Sequence, residues 1–296
     1  MNHRAPPNDM RTLSIDQLPN DATVATPAYR LPPLSWARTI LTDLSRIKRD
    51  RFVLYFLIVN SLKVRYQRST LGFLWALLNP VLMLTVLAIV FGQIIGRDIP
   101  DYPIYLFGGL IPFFAFNEAL LSGSRSLITA EPLIRRTPIH KLVFPLASVS
   151  VAAVNLLATM AALLVVFLVL GAEVHVQLVL LPVAAAAMLV FSFGTALIAM
   201  TVVTYFRDFE HILSVFLRAL YFASPVILMP HQLGKYAIVM DLNPLTYFLK
   251  LFRCALYDGQ WPAGHVWLIV AASAIASILL GYVLFKRFEH DFDFRL

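Results

Sequence analysis

Residues 62–80 read LKVRYQRSTLGFLWALLNP and place three cations, Lys63, Arg65 and Arg68, directly before an apolar run that carries no charge until Arg97. A helix rises about 1.5 Å per residue, so an uncharged run of about 20 residues crosses a hydrocarbon core of about 30 Å. Lys and Arg are retained at the cytoplasmic end of such helices. The stretch therefore predicts a membrane-spanning helix that begins in the cytoplasm.

The composition of the whole chain agrees with this prediction. Of its 296 residues, 59% are hydrophobic and 14% are charged, whereas soluble domains average about 45–50% apolar and about 25% charged residues. The mean hydropathy is +0.75. Strands of a membrane barrel need segments of roughly ten residues with alternating polarity, and the runs here are longer and uniformly apolar. We therefore expect an all-α integral membrane protein.

Charge-poor intervals predict six membrane-spanning helices. In chain order they lie between Arg68 and Arg97, from about Pro103, between Lys141 and Glu173, between His175 and Arg207, from Ile212, and from about Val266 to Phe285. The second contains Glu118, and the fifth, which is short, contains Arg218. Ionisable groups inside a membrane are costly unless they are paired or hydrated. These two are therefore expected to pair, to face a polar cavity, or to lie at the membrane interface.

The loops between the predicted spans differ in positive charge. Fifteen Lys and Arg fall on one side: Arg46, Lys48, Arg49, Arg51, Lys63, Arg65, Arg68, Arg125, Arg135, Arg136, Lys141, Arg207, Lys286, Arg287 and Arg295. Four fall on the other: Arg97, Lys235, Lys250 and Arg253. This bias predicts that both termini are cytoplasmic. Residues 1–44 lack a signal-peptide apolar core and are rich in Pro, Asn, Asp and Thr, which predicts a flexible cytoplasmic tail before a membrane domain at 45–296.

The residues before the first span predict an amphipathic helix at the membrane interface. The stretch DRFVLYFLIVNSLKVRYQRS is apolar with a polar, cationic edge. Such a helix places its apolar side in lipid and its cations at the head-group phosphates. Two interpretations of Lys63, Arg65 and Arg68 stay open: they fix the topology only, or they also contact phosphate.

Several catalytic and metal-binding motifs are missing from the sequence. It has no GxxxxGK[ST] phosphate loop and no HExxH, and its one cysteine, Cys254, excludes paired-cysteine metal sites. The fragment HDFDF at 290–294 resembles an acidic metal-binding motif, but a solvated C-terminal tail is the simpler expectation. RDFEH at 207–211 lacks the i, i+4 spacing of helix-borne metal ligands. We expect no metal or cofactor in this chain.

Five separated stretches of the sequence resemble the ABC-2 family of transporters, and among them the membrane subunits that export polysaccharides. In chain order they are VRYQRSTLGFLWALLNPVLM, YLFGGLIPFFAFNEAL, SLITAEPLIRRTPI, TYFRDFEHILSVFLRALYFASPVI and DLNPLTYFLKLFRCALYDG. The resemblance implies a homodimer of six-helix subunits around a channel in the bacterial inner membrane. It also implies two separate ATP-binding subunits, which hold ATP and Mg²⁺, and a lipid-linked glycan as substrate. Nucleic acid is not an expected partner.

The resemblance also suggests roles for particular residues. It assigns contact with the lipid diphosphate to Lys63, Arg65 and Arg68. It assigns ATPase coupling to the segment Ser124–Ile139, and there to Ser126, Glu131, Arg135 and Arg136. A re-entrant or interfacial helical pair is expected at about Pro230–Ala263, at the outer mouth. The aromatic residues expected to line the glycan path, with plain helix packing as the alternative, are Phe73, Trp75, Phe113, Phe114 and Phe116.

Three other functions stay open on the sequence alone. An ABC-2 exporter of a small lipid or drug would need no continuous aromatic channel. A membrane glycosyl- or phosphotransferase would need acidic metal-binding pairs near the ends of its spans, and HDFDF is the one fragment of that kind. A scaffold without transport gives no reason for Glu118, Arg218 or the long loop before the last span.

Overall fold

The computed structural model describes residues 36–66, 71–72, 74–94, 101–169, 175–227 and 237–295, and these residues contain no strand. Their helices are α1 (Trp36–Arg49), α2 (Arg51–Tyr66), α3 (Leu74–Ile94), α4 (Tyr102–Ser124), α5 (Ser126–Thr129), α6 (Glu131–Ile134), α7 (Val143–Val169), α8 (Leu180–Tyr205), α9 (Phe209–Phe222), α10 (Ala237–Leu242), α11 (Pro244–Leu256), α12 (Gly264–Phe288) and α13 (Phe292–Arg295). A 3₁₀ turn at Val176–Val179 precedes α8. The prediction of an all-helical chain is confirmed.

Within the described residues, four segments are long and apolar enough to cross a membrane. They are Tyr102–Ser124, Val143–Val165, Val176–Tyr205 and Gly264–Phe288, at the second, third, fourth and sixth predicted spans. At the first predicted span, α3 is an uncharged helix of 21 residues, about 31 Å long. At the fifth, α9 has 14 residues and is about 21 Å long, shorter than a hydrocarbon core of about 30 Å.

The segment that contains α9 nevertheless accompanies α4 along its length. At one end, Arg125, which follows α4, pairs with Glu210 at 3.1 Å. At the other end, the hydroxyl of Tyr102 donates to the carbonyl oxygen of Ile227 at 3.1 Å. The 23 residues of α4 span about 35 Å. The chain from Glu210 to Ile227 therefore runs beside the whole of α4, as a helix and then as turns.

Helix α4 lies at the centre of the bundle. In its apolar stretch 72% of the residues are buried, against 28–39% in the other three membrane-length segments. Helices α7, α8, α9 and α11 pack around it, and Leu106, Leu110 and Phe113 are among its fully enclosed side chains. Between membrane helices such packing supplies van der Waals contact that lipid does not reproduce. Helix α4 therefore forms the core of the subunit.

Helices α8 and α12 approach closely at small residues. A Cβ atom on Gly194 would overlap the backbone of Ser277, and one on Gly281 would overlap the carbonyl oxygen of Gly194. Glycine allows this approach because it has no Cβ, as at many helix crossings in membranes. The crossing fixes the last membrane-length helix against the core.

One end of the bundle, here named the charged end, is formed where α4, α8 and α12 end and α7 begins. Helix α1 lies there, because its Asp43 contacts Lys286 at 2.8 Å. The boundary predicted at residue 44 between a flexible tail and the membrane domain falls inside α1, where Asp43 is 3% exposed. The rest of the predicted tail, residues 1–35, lies outside the described residues.

The C-terminal fragment HDFDF also lies at the charged end, where four of its five residues are exposed, as expected of a solvated tail, and one is buried. Phe292 is completely buried. Asp293 pairs with Lys141 at 2.8 Å, and the hydroxyl of Tyr205 donates to Asp291 at 2.9 Å. The fragment is thus anchored by the ring of Phe292, and its carboxylates meet donors from α8 and from the turn before α7, whereas Phe294 is 81% exposed.

Candidate functional site

The cationic edge of α2 divides into an exposed cation and a paired one. Lys63 is exposed. Arg65, two residues further and about 200° around the helix, turns toward the bundle, where its guanidinium lies 2.6 Å from the carboxylate of Glu118 on α4. Arg68 lies outside the described residues. Lys63 and Arg65, two of the three cations predicted to act together on a phosphate, therefore do not share one environment.

Glu118 is the hub of a small polar site that links α2, α4 and α7. Its Oε1 atom accepts from the Nδ2 of Asn155 on α7 at 2.8 Å as well as from Arg65. The Oδ1 atom of Asn155 is buried and has no hydrogen-bond partner among the described residues. The side chains of Arg65 and Glu118 are 44% and 24% exposed. An anion can therefore reach Arg65 without any rearrangement of the core, whereas the Oδ1 atom of Asn155 is covered.

The structure gives Glu118 a partner other than Arg218, and the position of both charges relative to the membrane stays a prediction. Glu118 lies six residues before the end of α4, about 9 Å along the helix axis. Its observed partner is Arg65, so the alternative in which it pairs with Arg218 is not the arrangement in this structure. Arg218 is exposed on α9.

The segment predicted to couple to an ATPase folds as two single-turn helices, α5 and α6. Ser126 is buried, and its hydroxyl lies 3.4 Å from the sulfur of Met200 on α8. Glu131 and Arg135 form an i, i+4 pair at 3.0 Å, and Arg136 is exposed. The segment is thus attached to the core on one side and presents charged side chains at the charged end on the other.

A buried polar group directly beyond this segment was not predicted from the sequence. The Asp43 cluster consists of Asp43, His140, Tyr282, Lys286 and Glu289. Asp43 accepts from Tyr282 at 2.8 Å, contacts Nε2 of His140 at 3.1 Å and pairs with Lys286 at 2.8 Å. Lys286 also pairs with Glu289 at 2.7 Å. The cluster joins α1, the turn before α7 and the end of α12.

The protonation states in the Asp43 cluster follow from these contacts. Burial by itself raises the pKa of Asp43, but the hydrogen bonds from Lys286 and Tyr282 and the charge of Lys286 outweigh it and lower this pKa below its ordinary value. Burial lowers the pKa of His140, although the carboxylates of Asp43 and Glu289 oppose that shift. At neutral pH, Asp43 is therefore a carboxylate and His140 is neutral.

The predicted channel aromatics have different surroundings. Phe113 is buried against Tyr221, with ring centroids 5.2 Å apart, and Phe116 stacks on Phe191 at 5.5 Å. Phe114 is half-buried, Trp75 is 43% exposed on α3, and Phe73 lies outside the described residues. Phe113 and Phe116 thus pack inside the subunit, as the packing alternative expects. Whether these rings line a glycan path stays a prediction.

Helix α11 is almost entirely enclosed by other helices. Its Phe248 stacks on Phe191, near the middle of α8, with centroids 4.7 Å apart. Its Arg253, 6% exposed, donates to the carbonyl oxygens of Pro225 and Val226 and lies 3.7 Å over the ring of Tyr105. Arg253 therefore ties α11 to α4 and to the turns after α9. With 13 residues, α11 is about 20 Å long and too short to cross a membrane.

An apolar cavity of about 510 Å³ lies between the start of α11 and the charged end. Phe116 and Leu120 of α4, Thr195 of α8, and Leu213 and Phe216 of α9 line it, among others. The junction at Asn243 and Pro244 closes one side. The cavity offers space to an apolar group and few polar partners.

Among the residues that the structure describes, no three His, Cys, Asp or Glu side chains lie close enough together to hold a metal ion. Glu210, in the RDFEH stretch, is engaged with Arg125 instead. The chemistry that the charged end offers is ion pairing and hydrogen bonding.

Comparison with known proteins gives a consistent result. Residues 53–257 match the family model described as ABC-2 type transporter. The chain is 26% identical to the O-antigen export system permease protein of Myxococcus xanthus over 245 residues, which cover 82% of this chain and 94% of that protein. A permease of the same description from Klebsiella pneumoniae is 26% identical over 81% of this chain and 94% of its own length.

A third relative is named for a different polymer. The polysialic acid transport protein of Escherichia coli is 27% identical over 240 residues, which cover 79% of this chain and 92% of that protein. The family match covers well over half of the chain and includes α4, with Glu118, and the segment α5–α6. The chain is a multi-pass membrane protein and belongs to the ABC-2 type transporter family.

Proposed function

We propose that this chain is the membrane subunit of an ATP-driven exporter that moves a polyprenyl-diphosphate-linked polysaccharide across a bacterial inner membrane. The similarity to O-antigen and polysialic acid export permeases over 79–82% of the chain carries this proposal. The charged end supports it physically, because it offers cations at head-group depth, where a lipid diphosphate would lie.

The proposed membrane arrangement has six crossings with both termini in the cytoplasm. Length supports α3 as the first crossing, and the course of Glu210–Ile227 beside α4 supports the fifth. Helix α2, with exposed Phe52, Tyr55 and Phe56 and exposed Lys63, suits an interface position. We place the start of the membrane domain at α1 rather than at residue 45, and residues before it form the tail.

The proposed assembly is a homodimer with two ATP-binding subunits. Exposed apolar side chains on α3 and α9, among them Val86, Ile89, Val215 and Phe216, offer surface to a second copy or to lipid. The pair Glu131–Arg135 and the exposed Arg136 suit polar docking onto a soluble ATPase. The ATP-binding subunit holds ATP and Mg²⁺. This chain supplies the surface on which that subunit docks and pushes.

The proposed path of the substrate runs from the charged end to α10–α11. The diphosphate is bound near Lys63, Arg65 and Arg68, and ATP-driven motion of α5–α6 opens the seam between subunits. The polymer then passes aromatic side chains on α3 and α4 and leaves by the outer mouth. Enclosure of α11 by protein supports a re-entrant helix there, because irregular backbone at membrane depth is tolerated when it is buried.

The test uses the chain co-purified with the ATPase subunit encoded beside its gene. ATP hydrolysis in nanodiscs is measured with and without a polyprenyl-diphosphate-linked glycan, and we expect stimulation by the glycan lipid. Charge reversal of Arg135 and Arg136 to Glu should remove the ATPase from the complex, whereas Lys250→Glu on α11 should not. A stable complex that responds to small lipids or drugs but not to glycan lipids would favour the alternative exporter.

A further inference from the structure

We infer that Glu118 is an exchangeable counterion of Arg65, which a diphosphate displaces when it binds and a phosphate monoanion does not. Glu118 thereby determines which lipid head groups Arg65 accepts. This role rests on the export function proposed above and adds to it a residue that sets specificity.

The geometry of the pair is the first support for this role. Glu118 lies 2.6 Å from Arg65, which makes this a direct, charge-assisted contact. The same carboxylate oxygen accepts from Asn155 at 2.8 Å, and a rotation of the Glu118 side chain toward Asn155 would release the guanidinium. The site therefore holds its own anion, in the position that a phosphate oxygen would take against Arg65.

The exposure of the pair is the second support. At 44% and 24% exposure, neither side chain is sealed in the core, so the pair is weak in free energy. Exposed ion pairs contribute about 0.2–1 kcal/mol, whereas fully buried pairs are costly to break. An arriving anion can therefore exchange with Glu118, which the Asp43 cluster would not permit.

The depth of the pair is the third support. By helix rise, Glu118 lies about 9 Å before the charged end of α4, and Arg65 reaches it from α2, which we place at the membrane interface. Every phospholipid of the bilayer also carries a phosphate near that interface. A lone arginine there would bind these abundant phosphodiesters, each with one negative charge. The carboxylate of Glu118 carries the same single charge and competes with these phosphodiesters for Arg65. A diphosphate carries more negative charge and therefore displaces the carboxylate.

The orphaned acceptor on Asn155 is consistent with an exchange at this site. Its Oδ1 atom is buried without a partner, and such an acceptor costs free energy until a donor reaches it. A hydroxyl of the first sugar beyond the diphosphate is a donor of suitable chemistry. Asn155 then holds the displaced Glu118 with one atom and the ligand with the other.

Lys63 provides the matched control on the same helix. It is exposed and turned away from the Arg65–Glu118 site, so its removal lowers attraction for all anionic lipids equally. Removing the charge of Glu118 without changing its shape instead leaves Arg65 open to every phosphate. Discrimination between lipid classes, rather than affinity for one lipid, separates the two roles.

The experiment measures ATP hydrolysis by the full complex in phosphatidylcholine nanodiscs. Polyprenyl diphosphate, phosphatidylglycerol and inorganic pyrophosphate are titrated separately. In E118Q we expect the half-maximal concentration of polyprenyl diphosphate to fall by a factor of up to about five, which corresponds to loss of a competing, partly exposed ion pair. We also expect phosphatidylglycerol to compete with polyprenyl diphosphate in E118Q but not in the wild type. In K63Q the half-maximal concentration of polyprenyl diphosphate should rise, and phosphatidylglycerol should still not compete.

The outcomes separate failure of the inference from failure of the function. Unchanged half-maximal concentration and unchanged discrimination in a stably assembled E118Q would overturn the inference, and Glu118 would be a packing contact only. If E118Q does not assemble, N155A removes the amide that holds the displaced carboxylate, so the half-maximal concentration of polyprenyl diphosphate should rise, and no change there would overturn the inference. No response of the wild type to any polyprenyl diphosphate would overturn the export function itself. A response to pyrophosphate as strong as to the lipid would overturn lipid recognition.

Discussion

Replacement of Asp43 by Asn tests whether the Asp43 cluster holds α1 onto the bundle. The carboxylate is 3% exposed and meets Tyr282, His140 and Lys286 at 2.8–3.1 Å. Removing one partner of a buried charge pair costs about 3–5 kcal/mol because the remaining charge stays buried. Lys286 keeps Glu289 at 2.7 Å. We therefore expect a loss at the lower end of that range, about 3 kcal/mol.

The measurement is the free energy of unfolding of the detergent-solubilised chain, from an SDS titration followed by circular dichroism. Arg46→Ala is the matched control on the same helix, since Arg46 is half-exposed and lies 4.0 Å from Asp43. We expect it to cost less than about 1 kcal/mol. We expect the losses in free energy of unfolding for D43N and R46A to differ by about 2 kcal/mol or more, because one pair is buried and the other is exposed. A difference of less than about 1 kcal/mol would show that the Asp43 cluster does not hold α1.

Three further predictions concern other contacts. Burial lowers the pKa of His140 below its ordinary value of 6.5, so on acidification the unfolded chain binds a proton at this residue before the folded chain does, and stability should fall as pH drops below 6.5. Between pH 5.5 and 7.5, the melting temperature of H140Q should therefore depend less on pH than that of the wild type. An equal dependence in the two proteins would contradict this prediction. Gly194→Ala should destabilise by about 1–3 kcal/mol through overlap with α12, whereas Gly264→Ala, with open space around it, should be neutral in the same SDS titration. Arg253→Lys should lose about 1.5–3 kcal/mol for hydrogen bonds from a charged donor, while exposed Lys250→Ala should not; equal melting temperatures for these two variants would exclude the proposed tie between α11 and α4.

The helical architecture could be predicted because each membrane-length helix corresponds to one continuous apolar stretch of the sequence. Each of the segments Tyr102–Ser124, Val143–Val165, Val176–Tyr205 and Gly264–Phe288 is visible as an apolar run between charges, since the bilayer requires each span to satisfy its own backbone. The fifth predicted span follows this rule only in part, because its helix is shorter than its apolar stretch. Its apolar run continues through Pro225, but the helix ends at Phe222, and neighbouring protein satisfies the carbonyls that follow.

The pairing of the charges could not be predicted, because it depends on which helices become neighbours. Glu118 was recognised as exceptional, yet its partner Arg65 lies on a helix outside the predicted spans, and the distance of 2.6 Å follows from how α2 packs on α7. Nothing in the sequence indicates that Asp43 and His140 meet, because they are far apart in the chain and each lies among other charged residues that look exposed. A run of Asp43, Arg46 and Arg49 at helical spacing was the available hint that residues before 45 form a helix.

The Asp43 cluster also has a consequence for the order in which the chain folds. Asp43 and Tyr282 are separated by 239 positions, so the ribosome makes α1 first and its main partners almost last. Contacts of such separation form late, because the intervening chain must be placed before they can close. During synthesis, Asp43 therefore lacks its contacts with Tyr282 and Lys286 until α12 has been made, and a chain that stops before these residues lacks them permanently. Attachment of the first helix through Asp43 thus depends on completion of the last one.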